Sequence, residues 1–338
     1  MKKKFVKGLL GVALLTGMVA LSGCSSNAAG ASKSTLVKVG TPFAPTHPVS
    51  VALLEVFEPE IEKKTNGKFN VEIYHSGQIG GEKQLYDFTR SGIVEVTAVG
   101  TVMWSEVPMM STPDFPFIFR DVAHARKVYQ GEVGEYIADN LESQESLKFL
   151  SWHPNGARVF SSSKPINSVE DFKGLKLRMP NNPIHVQVAQ SLGANPQIMD
   201  FGEVFTALEQ NVVDGQDNPI STVRQEGWYN VQDHIYESNH MVSSIELLMS
   251  NEFWETLTKE EKAIFQEIAD ATSDKSWDLY EESLEADRKF LEEEGLTYVV
   301  PTEEDREQLV KAMEPVYEVL YEKYDWAKDL IKRIQAVE

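Results

Sequence analysis

The chain has 338 residues, 52 acidic against 32 basic side chains, and a formal net charge of −20. A body this acidic should repel nucleic acid and anionic lipid surfaces, so a nucleic-acid partner is not expected. Its single cysteine rules out an internal disulfide and a cysteine-built metal cluster.

The first element is a targeting segment. Lys2, Lys3, Lys4 and Lys7 precede an apolar run from Leu9 to Ala20, which is too short and wrongly flanked for a spanning helix. The run ends in Leu21-Ser22-Gly23-Cys24, which resembles a bacterial lipobox. Residues 1–23 are therefore expected to be a lipoprotein signal peptide, with Cys24 carrying lipid. Loss of those four lysines moves the net charge from −20 to −24. Residues 24–34 are rich in Ser, Ala, Gly and Asn and are expected to form a flexible tether. About 300 residues follow, more than one core usually fills, so two lobes are expected.

In that body strands and helices alternate. Leu36–Gly40 reads as a strand, Val51–Lys64 as a helix closed by Asn66-Gly67, and Lys68–Tyr74 as an alternating strand. Glu82–Ser91 reads as a helix and Ile93–Val99 as a strand, giving β-α-β-α-β, the pattern of a parallel sheet covered by helices. The spacing then predicts helix over 122–140, strands over 147–152, 157–161 and 175–179, and a helix start capped by Ser168. Short helices are expected at 185–192 and 202–210, the second followed by a strand at Val212-Val213. Thr258-Lys-Glu-Glu261 is a capping box that opens a long helix. Leu296–Val300 reads as a strand, and Thr302 caps a last helical region. The long helix is expected to span both lobes: lobe I as residues 35–155 with 244–283 returning to it, lobe II as 156–243 with 284–338 returning.

Candidate ligand residues lie beside strand ends and turns. Arg178 closes the strand Leu175–Met179, which Pro180 ends, and open α/β sheets keep their ligands at such carboxyl ends. A guanidinium offers a planar fork that matches the two oxygens of a carboxylate. Arg158 follows Asn155-Gly156 in a short strand, and Asn218 lies in a turn between Gly215 and Pro219. Taken singly, these residues also suit a surface ion pair and a structural turn. Phe201 and Trp228 could wall a pocket or fill the core, and His47 lies in the loop after the first strand. Pro113–Phe119 reads as an apolar loop packed near the lobe boundary. Gly-x-Ser-x-Gly, Gly-x-Gly-x-x-Gly, phosphate-loop and His-Glu-x-x-His motifs are absent, and the seven histidines show no metal-ligand spacing. No catalytic residue, cofactor or metal is expected.

Taken in order, several motifs resemble the extracytoplasmic solute-binding subunits of tripartite ATP-independent periplasmic (TRAP) transporters, the DctP-like family. They are Lys64-Thr-Asn-Gly67, Gly77-Gln-Ile-Gly-Gly-Glu82, Asp114-Phe-Pro-Phe-Ile-Phe119, Asn155-Gly-Ala-Arg158, Asp171-Phe-Lys-Gly-Leu-Lys-Leu-Arg178, Glu203-Val-Phe-Thr-Ala-Leu208 and Val213-Asp-Gly-Gln-Asp-Asn-Pro219. The resemblance implies a two-lobed α/β periplasmic-binding-protein fold that closes on a small organic acid and delivers it to a membrane permease, without catalysis. It implies that Arg178 clamps the carboxylate, that Arg158 and Asn218 support it, and that Phe201 walls the cleft. First-lobe contacts vary in the family, so His47, Glu82 and Trp104 are weaker candidates. The motif departs from the family pattern in carrying Asp217 where Glu is usual. A ligand-sensing subunit of a membrane kinase and an enzyme acting on organic acids are the alternatives.

Overall fold

The computed structural model describes residues 34–338, so the expected signal peptide and Cys24 lie outside the described residues. Nine strands form one mixed sheet. They are β1 (Thr35–Gly40), β2 (Phe69–Tyr74), β3 (Val96–Val99), β4 (Leu147–Ser162), β5 (Lys176–Met179), β6 (Asn195–Ile198), β7 (Gly215–Pro219), β8 (His234–Ser250) and β9 (Thr297–Val299). Their spatial order is β2-β1-β3-β8-β4-β7-β5-β6, with β9 paired to β8. The strands β2, β1 and β3 are parallel, as are β7, β5 and β6. Between the two parallel sets, β8 and β4 run antiparallel to each other and to their outer neighbours.

The expected β-α-β-α-β unit is present at the N-terminal end, but the sheet as a whole is mixed because of two strands that the sequence reading missed or divided. Residues 147–152 and 157–161 are one strand, β4, and Asn155-Gly156 does not end it. The strand passes through register irregularities at Phe149/Ser151, Pro154/Gly156 and Arg158/Phe160. Gly156 is the residue that allows this. Its φ is +122°, and a Cβ there would lie 2.3 Å from the Tyr280 ring, whose hydroxyl accepts from the Ala157 N–H at 2.8 Å. The partner strand β8 was not predicted. From Met241 to Ser250 every residue of it is buried, so the apolar/polar alternation that marks a half-exposed strand is absent. The third correction concerns β7, which starts at Gly215 rather than at Val212-Val213, so Asn218 lies in a strand opposite Val159 and not in a turn.

Helices cover the sheet: α1 (Pro48–Ala52), α2 (Glu58–Lys64), α3 (Glu82–Arg90), α4 (Val122–Tyr129), α5 (Glu132–Gln144), α6 (Pro183–Ser191), α7 (Val204–Glu209), α8 (Ile220–Gln225), α9 (Asn251–Thr256), α10 (Lys259–Glu293), α11 (Glu303–Lys323) and α12 (Ala327–Ala336). The helix expected over 122–140 is two helices. Gln130 ends α4 and Gly131, in extended backbone, caps α5. The capping box at Thr258 forms as expected, with Glu261 accepting from the Thr258 N–H and Thr258 accepting from the Glu261 N–H. It opens α10, whose 35 residues run roughly 52 Å at 1.5 Å per residue. This helix packs on α1, on β4 and on α8, so it crosses the sheet from one parallel set to the other. Ser273 and Ser276 on α10 seat it against β4, through the Trp152 carbonyl and the His153 ring.

Candidate ligand cleft

The cleft lies where the two parallel sets of strands face each other, and its lining comes from segments far apart in sequence. Phe43, Glu82, Thr101 and Asp114 face Arg158, Arg178, Asn182, His185, Phe201 and Asn218 across a narrow cleft. Several contacts cross it. The Asn182 amide donates to Asp114 Oδ2 at 2.9 Å and to Thr101 Oγ1 at 3.2 Å. The Trp104 indole donates to the Asn181 carbonyl at 2.6 Å, and the Ala44 N–H donates to Glu226 at 3.0 Å. Phe43 meets Phe201 edge to face, with ring centroids 5.4 Å apart.

Arg178 occupies the end of β5, where Pro180 stops the strand. Its side chain is 2 % exposed. Nε and Nη2 both donate to the Met199 carbonyl, at 3.2 and 3.0 Å, which fixes the plane of the guanidinium. Nη1 has no partner among the described residues. A guanidinium has five N–H groups, so the edge formed by Nη1 and Nη2 is left to receive a planar anion. Burial, then the Arg158 charge, pull its pKa down to about 10, so it stays charged at neutral pH but unsatisfied.

Arg158 is held differently. Nε and Nη2 form a two-point ion pair with Asp217 at 2.9 and 3.0 Å, Nη2 also meets the Asp217 carbonyl, and Nη1 donates to Ser243 at 3.3 Å. The pair is buried on both sides. Burial alone would raise the Asp217 pKa, but Arg158, His185 and His240 hold it well below the usual carboxylate range. Arg158 thus lends the cleft positive field more than free donors. Asn218 donates to Gln216 at 2.6 Å and lines the cleft beside it.

The cleft also holds acceptors. Glu82 accepts from the Gly100 N–H at 2.8 Å, and burial raises its pKa against the pull of that N–H and of Arg178. Oδ1 of Asp114 and Oδ1 of Asn155 are buried and without partners.

Of the sequence candidates, Arg178, Arg158, Asn218, Phe201 and Glu82 therefore come together in the cleft. Three others do not line it. His47 caps α1 by accepting from the Val49 N–H, stacks on Phe43 and is fully buried, which drives its pKa to about 3. Trp228 is core, packed behind Phe201. Trp104 bridges the two sides at Asn181, beside the cleft. Asn155, Asp114, Asn182, His185 and Ser243 were not picked out. Asp114 sits in the segment read as an apolar loop, Asn182 was recognisable only as a helix cap before Pro183, and Ser243 belongs to the unpredicted β8. Among the described residues no group of three or more His, Cys, Asp or Glu could hold a metal ion.

A buried arginine edge facing acceptors across a closed cleft, with nucleophile and phosphate motifs absent, defines a binding protein for a small organic anion. The chain belongs to the bacterial extracellular solute-binding proteins of family 7, the DctP family, whose model matches residues 39–324. It is a TRAP-type periplasmic solute-binding protein and serves transport, not catalysis. A TRAP solute-binding protein from Haemophilus influenzae with bound L-gulonate is 35% identical, with a TM-score of 0.88 over 90% of this chain and 100% of that one. One from Pseudomonas putida F1 with bound D-glucuronate is 28% identical, with a TM-score of 0.85 over 90% of this chain and 98% of that one. One from Sulfurospirillum deleyianum with bound succinate is 29% identical, with a TM-score of 0.84 over 90% of this chain and 99% of that one.

Proposed function

We propose that this protein captures a polyhydroxylated monocarboxylic acid, of the aldonate or uronate kind, outside the cytoplasm and delivers it to a TRAP permease in the membrane. Arg178 takes the carboxylate on its open edge, and Arg158 and Asn218 support it from the same side. Glu82, Asp114 and Asn155 accept hydrogen bonds from the ligand's hydroxyls. The observation that carries this reading is the asymmetry of the cleft. Donors are spare on Arg178, the unpartnered Oδ1 of Asp114 stands across the cleft, and that of Asn155 lies beside Arg158, with which Asn155 shares the Ser243 hydroxyl. A dicarboxylate of similar length would set its second charge against Glu82 and Asp114, whereas hydroxyls would satisfy them.

The proposed lobes are residues 35–155 with 244–283, and 156–243 with 284–338. The irregularity of β4 at Pro154/Gly156, opposite Ser243 and Ser244 of β8, supports a hinge there. Closure about it would take the ion pair out of water and strengthen it.

A thermal-shift and calorimetric panel tests the ligand class. L-gulonate or D-glucuronate should raise the melting temperature, and succinate should raise it less. Glu82→Gln removes a charged acceptor, which typically contributes about 1.5–3 kcal/mol. Because the glutamine carbonyl still accepts a weaker hydrogen bond, D-glucuronate binding should weaken by about fivefold, with succinate unaffected or improved. Stabilisation by succinate equal to that by the sugar acids would sink this reading. The lipid anchor at Cys24 is a separate part of the proposal. Cys24→Ala should move the protein from the membrane fraction to the soluble one, and an unchanged distribution would remove the anchor from the account.

A further inference from the structure

We propose that His185 is a positioning residue that, as an imidazolium, ties Asp114 on one side of the cleft to the Asp217–Arg158 pair on the other and makes ligand capture depend on its proton. The inference rests on the binding reading above and adds a proton to it. The argument begins with geometry. The His185 ring, on α6, is buried with its Nε2 3.4 Å from Asp114 Oδ2 and its Nδ1 3.4 Å from Asp217 Oδ2. A neutral imidazole has one N–H and one lone pair, so one of its nitrogens would turn a lone pair onto a carboxylate. Only the doubly protonated ring can donate to both.

The charge balance points the same way. With His185 protonated, Asp114 and Asp217 are matched by His185 and Arg158, and the site is neutral apart from Arg178 and Glu82. With His185 neutral, an uncompensated negative charge remains beside the place where an anionic ligand must sit, and it opposes binding.

The surroundings of His185 contain few other titrating groups. Asp114 faces it from the segment Pro108–Asp114, Asp217 from β7, Arg158 from β4, and His240 reaches the same Asp217 oxygen from β8 at 3.5 Å. Arg178 on β5 and Glu82 at the start of α3 share the cleft with it. The helix packed on α6 is α11, whose buried face is Leu309, Met313, Val316 and Leu320. Burial lowers the pKa of His185, but Asp114 leads the opposing charges and the net direction is upward. His240 shifts the other way, with burial as the main cause, and Asp217 is held low, so neither titrates in the same window.

The sign follows. A raised histidine pKa in the closed form favours closure fully below the ordinary value of about 6.5, and the benefit is lost as pH rises through the raised value. Because Asp114 belongs to the opposite side of the cleft, opening separates the bridge.

Calorimetry with D-glucuronate and L-gulonate from about pH 6 to about pH 9 tests this. Wild-type Kd should rise with pH, by at most about tenfold per pH unit. H185Q should bind with a flat profile near the wild-type high-pH value. An H185Q profile that keeps the wild-type slope, or a flat wild-type profile, overturns the proposal. A second arm reads the ring itself, in the chain alone and in the chain saturated with D-glucuronate. Carbon-13 spectra of ring-labelled histidine in the full chain should show one buried histidine still protonated above about pH 6.5, assigned by its loss in H185Q or H185N. If every buried ring titrates below that value, the proposal fails. Should neither sugar acid bind the wild type, the binding reading fails, and the spectra still decide the histidine.

Discussion

Replacing Arg178 with alanine should weaken binding of the cognate acid by about 2–5 kcal/mol, roughly thirty- to several-thousand-fold in Kd. The size follows from where the charge sits. In water a carboxylate–guanidinium pair gains little, but here the cation is already desolvated and only two of its N–H groups are engaged, both by the Met199 carbonyl. In the proposed complex the ligand carboxylate would supply the counter-charge that the protein withholds. Without Arg178 the buried carboxylate would face Arg158 alone, and Arg158 is committed to Asp217. Arg178→Lys should also lose affinity, because an ammonium on a flexible stem cannot reproduce a fork whose plane is fixed by Met199. Folding stability should change little in either variant, since a buried and poorly compensated cation gives the empty protein no advantage. Calorimetry separates the two effects, and unchanged affinity in Arg178→Ala would remove the clamp.

The second large effect is on stability. Asp217→Ala should destabilise the protein by about 3–5 kcal/mol, because it leaves the Arg158 cation buried without its partner. For a chain of this size that corresponds to a fall in Tm of roughly 5–8 °C. The same substitution frees the second anchor of His185, and it removes an acceptor from the Arg158 Nε and Nη2 groups at once. Thermal and urea denaturation measure it. A Tm within a degree or so of wild type would mean that Arg158 finds other partners and that the pair is not what holds β4 and β7 in place at the cleft.

Most of the architecture that carries these effects was legible in the chain. The strand β5 announced Arg178 through an alternating run cut short by Pro180, and the capping box at Thr258 announced α10. The partners of the arginines were hidden for a physical reason. Asp217 stood out only as a departure from the family motif, and because it lies 59 residues from Arg158 and 32 from His185, nothing local marks it among 52 acids as their partner. The acceptor wall was hidden in the same way, since Asp114 follows a proline in an apolar segment and Ser243 sits in a strand buried on both faces. Periodicity reports one exposed and one covered face, so it fails where helices cover both. His47 and Trp228 show the converse. His47 was chosen for its place after the first strand and Trp228 as an aromatic that could wall a pocket, and each is buried in packing or capping instead.

The central claim is that Arg178 receives the ligand's acid group inside the closed cleft, and a crystal structure with bound L-gulonate or D-glucuronate tests it most directly. The account predicts the carboxylate against the open edge of Arg178, at about 2.7–2.9 Å from its nitrogens, with ligand hydroxyls turned toward Glu82 and Asn155. A ligand whose acid group points away from Arg178, or which settles outside this cleft, would contradict it.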